Sequence, residues 1–165
     1  MANEDTLDSL DDLFIHQLED LYDAEKRMTR ALPEMRDAAG QIKLRDAFSY
    51  HLEETQSQIE RLEAIFESLG KSPEREACEA MKGLLREGEK VINANGSDTV
   101  RDAALIAAAQ LVEHYEIAAY GTAHTMALQL GYGEIAEQLE DTLHEEKNID
   151  TKLTQIARSY INPAA

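Results

Sequence analysis

Apolar residues recur every three or four positions through most of the chain, and the breaks in that recurrence divide it into helices. From Thr6 to Ala39 the stripe is Leu7, Leu10, Phe14, Leu18, Leu21, Met28, Leu32 and Met35, a spacing that gathers them on one helical face. It breaks at Ala39-Gly40, where glycine suits a helix C-terminus. Pro33 falls inside this helix and should kink its last turns without ending it, because the period continues past it. A second helix is predicted from Gln41 to Leu69, marked by Leu44, Phe48, Leu52, Ile59, Leu62, Ile65, Phe66 and Leu69, and closed by Gly70-Lys71-Ser72-Pro73. Residues 1–5 read as a polar lead.

From Glu74 to Asn95 the pattern is shorter and more polar, with Met81, Leu84, Leu85, Val91 and Ile92 on one side of a connecting helix. A third long helix begins near Ser97 or Asp98, both good N-caps. Its stretch AALIAAAQLVEHYEIAAYGTAHTMALQLGYG, Ala103 to Gly133, is apolar or small on nearly every face and holds only two carboxylates, Glu113 and Glu116. A helix of that kind is expected to be buried all round. Gly131-Tyr132-Gly133 then turns into a fourth long helix, Glu134 to about Tyr160, whose inner side is Ile135, Leu139, Leu143, Ile149, Leu153 and Ile156, with residues 161–165 as a tail. The expected fold class is all-α, a four-helix bundle of two antiparallel hairpins. They are joined by a long crossover, residues 70–97, containing a short extra helix. The halves echo each other weakly: QLEDLY at 17–22 resembles QLVEHY at 110–115, and HLEETQSQIERL at 51–62 resembles TLHEEKNIDTKL at 142–153.

Composition narrows this picture. A length of 165 residues fits one domain with a core of its own. With 33 acidic against 16 basic residues the formal charge is −17, which argues against nucleic acid and anionic membranes as partners and favours cations. The single cysteine, Cys78, has no internal disulfide partner and is expected to be a small buried residue. The N-terminal MANEDTLDSL has neither a basic nor an apolar leader region, so the expected location is the cytoplasm. Glu113, His114, Glu116 and His124 interrupt the apolar stretch and exclude a transmembrane span.

The candidate chemistry follows from the two stranded carboxylates. Three residues apart, they share a face of a buried helix, where an unpaired charge must shift its pKa, find a partner or bind a cation. Hairpin geometry supplies companions. A turn near Gly40 places Glu25 beside Glu54 with His51 about one turn away, and a turn near Tyr132 places Glu116 near Glu146 and Glu113 near Asp150. Glu145 and Glu146 are adjacent, so only one can face inward. The stripe of Leu139, Leu143 and Leu153 favours Glu146 and the internal echo favours Glu145; Glu146 is preferred on the stripe. Glu25, His51, Glu54, Glu113, Glu116 and Glu146 thus form a candidate box for two metal ions. Carboxylates with few nitrogens suit iron or manganese better than zinc and leave positions for dioxygen or peroxide. Tyr22, Tyr115 and Tyr120 are expected core aromatics whose hydroxyls need partners.

The segments LYDAEKRMTRALPEM, HLEETQSQIERLEAIFESLG, CEAMKGLL, RDAALIAAAQLVEHYEIAAYGTA and LEDTLHEEK together resemble the YciE/YciF family of bacterial stress-response proteins within the ferritin-like superfamily. The resemblance runs from about Leu7 to Ala157. It implies a rubrerythrin-like bundle, often a homodimer, with a di-iron or di-manganese type centre. It points to Glu25 through YDAE, to His51 and Glu54 through HLEET, to Glu113 and Glu116 through EHYE, and to Glu146 or Glu145 through HEEK. Ferritin-like centres usually carry Glu-x-x-His on two helices. This chain instead reads His51-x-x-Glu54 on the second helix and has Asn148 and Ile149 on the fourth where a histidine would stand, so the expected site is poor in histidine.

Overall fold

A computed structural model describes residues 6–74 and 77–165. Five α-helices follow one another: α1 (Leu10–Ala38), α2 (Ile42–Ser68), α3 (Glu79–Ile92), α4 (Asp98–Gln129) and α5 (Gly133–Ile156), with no strand among the described residues. The hairpins α1–α2 and α4–α5 pack against each other, and α3 lies across α1 and α4. The expected polar lead, residues 1–5, lies outside the described residues, as do 75 and 76 at the start of the connecting segment. The all-α bundle matches the expectation from periodicity.

Local chemistry sets the helix ends. Ser9, not Thr6, starts α1, its hydroxyl accepting the Asp12 N–H at 3.1 Å. Ser97 does the same for α4 through the Val100 N–H. Both α2 and α4 close with a glycine in the left-handed region, Gly70 at φ 66° and Gly131 at φ 79°. In each, the residue after the glycine donates back to the last turn, Lys71 to Phe66 and Tyr132 to Ala127, which satisfies carbonyls that would otherwise be orphaned. The α1–α2 turn works differently. Gly40 stays out of the left-handed region, and its N–H and that of Gln41 donate to the two oxygens of the buried Asp102 on α4, both at 2.8 Å. A β-carbon at Gly40 would stand 3.4 Å from one of those oxygens, an ordinary contact, so the turn rests on the Asp102 hydrogen bonds. α1 runs through Pro33 without a break.

Two departures matter. α4 is not buried all round: Val100, Ala107, Leu111, His114, Ala118 and Leu128 lie on an exposed face, with Leu111 57% exposed. The overall apolarity of α4 therefore serves two needs, an inner face for the core and an apolar outer stripe. Second, α5 ends at Ile156 in a π-helical turn, Ala157–Ile161, that packs on α4 and buries Ile161 in the core; part of the expected tail belongs to the core. No helix is long and apolar enough to cross a membrane among the described residues.

The core has three layers along the bundle axis. One apolar layer joins Met28, Leu32, Leu44, Phe48, Leu105, Ile106, Leu153 and Ile156. The other joins Phe14, Leu18, Leu62, Phe66, Tyr120, Ala123, Ile135 and Leu139. Between them, at mid-height on all four long helices, lie the buried polar residues Glu25, His51, Thr55, Gln58, Glu113, Glu116 and Glu146.

Candidate metal centre

Each long helix brings its polar residue inward because that residue occupies the same stripe as the apolar ones above and below it. On α4, Glu113 and Glu116 follow Ile106 and Ala109 and precede Tyr120 and Ala123, all buried. On α5, Glu146 sits between Leu139 and Thr142 on one side and Ile149 on the other. Glu145 is half-buried and turned aside, pairing with the Arg61 guanidinium through both oxygens, at 3.0 and 3.1 Å. Of the two adjacent acids, Glu146 faces the interior.

His51, Glu113, Glu116 and Glu146 converge: one ligand-capable atom from each lies within 4.8 Å of the others, and all four side chains are buried. His51 Nε2 is 3.2 Å from Glu113 Oε1 and 3.9 Å from Glu146 Oε2. The other ring nitrogen, Nδ1, faces Glu54 Oε2 at 3.8 Å. Glu54 is half-buried, 16% exposed, on the far side of the ring from the cluster. Glu25 is buried beside the cluster, its Oε1 accepting the Tyr120 hydroxyl at 2.6 Å. Asp150, placed near Glu113 by hairpin geometry, bonds instead with Gln110 and His114 near the surface. His124 binds the Ala136 carbonyl. The tyrosines find hydroxyl partners as expected, Tyr22 with Glu63 and Tyr115 with Cys78.

Electrostatics divides the buried acids. Burial, then the charges of Glu25 and Glu146, hold Glu116 well above the ordinary carboxylate range. Burial does the same to Glu146, the nearby His51 only partly offsetting it. Glu25 is pushed up to about 7 by burial, against the downward pull of the Tyr120 hydrogen bond. Burial also acts upward on Glu113, yet the His51 imidazolium outweighs it and leaves this carboxyl below its usual value. For His51 burial acts downward, and Glu113 and Glu146 outweigh it, holding the ring well above an ordinary histidine. The metal-free centre is thus one buried ion pair, His51 with Glu113, among acids that retain protons to avoid bare charge.

Seven buried side-chain atoms of these residues make no well-formed hydrogen bond: Glu25 Oε2, Glu113 Oε2, both oxygens of Glu116, Glu146 Oε2 and both ring nitrogens of His51. Buried polar atoms are nearly always partnered, and the orphans of His51, Glu113, Glu116 and Glu146 converge from three helices closely enough that they could hold a metal ion.

Sequence reasoning passed over Gln58, fully buried on α2. Its amide nitrogen donates to Glu146 Oε1 at 2.6 Å and to Glu145 Oε2 at 3.0 Å. The signal was present in the sequence: Gln58 lies seven residues after His51, on the same helical face.

Comparison with known proteins agrees with this architecture. The chain is 51% identical over 158 residues to Protein YciF of Escherichia coli (strain K12), covering 95% of each. The crystal structure of the E. coli stress protein YciF superposes with a TM-score of 0.90, covering 94% of this chain and 98% of that one. A two-domain protein from Anabaena variabilis containing DJ-1/ThiJ/PfpI-like and ferritin-like domains matches at TM-score 0.64 and 16% identity, over 95% of this chain and 39% of that one, a likeness of fold alone. The family model described as a domain of unknown function, DUF892, matches residues 9–165. The chain belongs to that family, as a helical bundle of ferritin-like fold related to YciF.

Proposed function

We propose that this is a cytoplasmic ferritin-like metal-binding protein with a carboxylate-rich dinuclear centre for iron or manganese, acting in oxidative or general stress. The observation that carries the reading is the convergence of unpartnered buried oxygens with His51 in a layer where nothing else stabilises them. His51 Nε2, Glu113, Glu116 and Glu146 are the proposed inner ligands, with Glu25 completing the box. Glu54, on the Nδ1 side of the ring, is suited to orient His51 as well as to reach a metal, since a carboxylate behind a ligating imidazole fixes its tautomer and raises its basicity. Bound iron or manganese would supply redox chemistry toward peroxide or dioxygen. The residues themselves hold protons at Glu25, Glu116 and Glu146, and surrender them when metal binds. The apolar layers on either side limit access of water. The stress role rests on the kinship with YciF, itself described as a stress protein.

A homodimer is proposed on the outer stripe of α4, where Val100, Leu111 and Leu128 are each more than half exposed. Sedimentation should show a dimer that Leu111→Lys dissociates.

Metal analysis tests the centre. Protein produced with iron or manganese supplementation should retain stoichiometric metal, and Glu116→Gln should lose it with helical content unchanged. The exposed Glu137→Gln should retain it. Glu116→Gln retaining as much metal as the parent would refute the assignment.

A further inference from the structure

Two buried donors beside the centre carry no ligand role, and they share a pattern. Gln58 gives hydrogen bonds to Glu146 Oε1 and Glu145 Oε2. Tyr120, also fully buried, gives its hydroxyl hydrogen to Glu25 Oε1. Each therefore occupies one oxygen of a central carboxylate and leaves the other, Glu146 Oε2 and Glu25 Oε2, buried and without a partner. Both bonds are short, 2.6 Å, and they come from opposite hairpin partners: α2 holds the acid of α5, and α4 holds the acid of α1. The orientation of the Gln58 amide is fixed independently. Its nitrogen faces two acids, one of them the Glu145 carboxylate anchored by Arg61, which a carbonyl oxygen in the same place would meet as acceptor against acceptor.

Glu116 is treated differently. Neither of its oxygens has a partner, it belongs to the converging group with His51, Glu113 and Glu146, and Glu25 is the carboxylate whose charge bears on it most. Both of its oxygens are open, and one of them lies within 4.8 Å of a ligand-capable oxygen of the pinned Glu146. A carboxylate with one oxygen held by a protein donor presents the other end-on to a single ion, whereas one with two open oxygens can span two ions.

We propose that Gln58 and Tyr120 are positioning residues: they fix Glu146 and Glu25 as end ligands of two different ions and reserve Glu116 as the carboxylate shared between them. The proposal rests on the dinuclear reading above and assigns roles within it. His51 and Glu113 complete the ion nearer Glu146, since His51 Nε2 faces both. The Gln58 end is further stiffened by the Glu145–Arg61 pair, which holds the second acceptor of the same amide.

The test titrates manganese(II) into metal-stripped wild type, Gln58→Leu, Tyr120→Phe and Glu116→Gln. Equilibrium dialysis gives stoichiometry, electron paramagnetic resonance gives exchange coupling between ions, and circular dichroism checks folding. Wild type should take up two ions per chain with an exchange-coupled spectrum. Glu116→Gln should lose the coupled pair, because a carboxamide cannot bridge, and any residual manganese should give the uncoupled spectrum of isolated ions. Gln58→Leu and Tyr120→Phe should each keep the coupling but weaken one of the two ions about 10- to 100-fold, the range expected for loss of a hydrogen bond that orients a ligand, and each should alter the coupled spectrum. A merely structural role would lower stability and leave the spectrum as it was. Tyr120→Phe removes a single oxygen and decides the matter if Gln58→Leu does not fold. Coupling that survives in Glu116→Gln, or affinities and spectra unchanged in the folded donor variants, overturns the proposal. Wild type binding a single ion overturns it while leaving the metal-binding function in place; wild type binding none overturns both.

Discussion

On α2 the buried positions run Leu44, Phe48, His51, Thr55, Gln58, Leu62 and Ile65, so one helix face passes from an apolar end layer through the polar middle layer into the other apolar end layer. The geometry is the same throughout and the energetics are opposite. In the end layers each buried side chain stabilises the fold in proportion to the apolar area taken from water. In the middle layer the same burial is unfavourable, and it is tolerated because three acids are shifted toward their neutral forms and the fourth pairs with His51. The ends hold the fold, and in doing so they hold the middle in an arrangement it would not adopt alone. That difference is the mark of a site: stability surrendered locally in a region that the rest of the molecule over-determines.

The sharpest break in the comparison should come from an end layer. Phe66 is completely buried, so Phe66→Ala is expected to reduce the unfolding free energy by about 3–5 kcal/mol in urea denaturation, while the folded fraction still binds its full complement of metal. In the middle layer the acids should separate by protonation state. Glu113→Gln removes the anion facing the buried His51 imidazolium and should destabilise the metal-free protein at pH 7 by about 1–3 kcal/mol, the ring limiting the loss by giving up its proton. Glu116→Gln replaces an acid that is already protonated with a neutral group of the same shape, and should leave stability at pH 7 unchanged or raised. Equal losses for the two variants would contradict the assignment of the ion pair.

The pH dependence refines this contrast. A carboxyl whose folded pKa is raised binds a proton more tightly in the native state. Its stabilising contribution is fully present below the unfolded value and is lost as pH rises through the folded one. For Glu25 that window runs from about 4.5 to about 7, and burial raises Glu116 and Glu146 in the same direction. Metal-free wild type should therefore lose stability between pH 5 and pH 8 more steeply than Glu116→Gln, as read from denaturation midpoints in a buffer series. Parallel curves would remove Glu116 from the set of raised acids.

Metal loading is expected to release protons at pH 7, from the raised groups His51, Glu116 and Glu146 and in part from Glu25. Calorimetry in two buffers of different ionisation enthalpy measures the number released, and apparent affinity should rise with pH as the competition from protons falls. Binding without proton release would show that the acids are already ionised in the metal-free state.

Much of this was legible in the chain. The 3.6-residue period fixed the helices to within a few residues, and Ser97, Gly70 and Gly131 marked ends by chemistry that is local. Glu113 and Glu116 stood out because they were the only acids in an apolar stretch, and both are buried. The internal echo misled where the stripe did not: it paired Glu145 with Glu54, and neither is fully buried. Glu145 turns outward because Arg61 is there to receive it, a partner 84 residues away that no local pattern predicts.

What the sequence by itself determined is the set of helices, their order, and the presence of acids in positions that a bundle must bury. These follow from periodicity, from caps, and from the short turns that force neighbouring helices to run antiparallel. What only the tertiary structure decided is which oxygen of each acid is free. Glu25 meets Tyr120, Glu146 meets Gln58, and Glu116 meets no donor, distinctions that depend on side chains from different helices arriving at one height. The outer face of α4 was decided there too. Composition made that helix apolar all round, but four helices packed in a square enclose only one side of each.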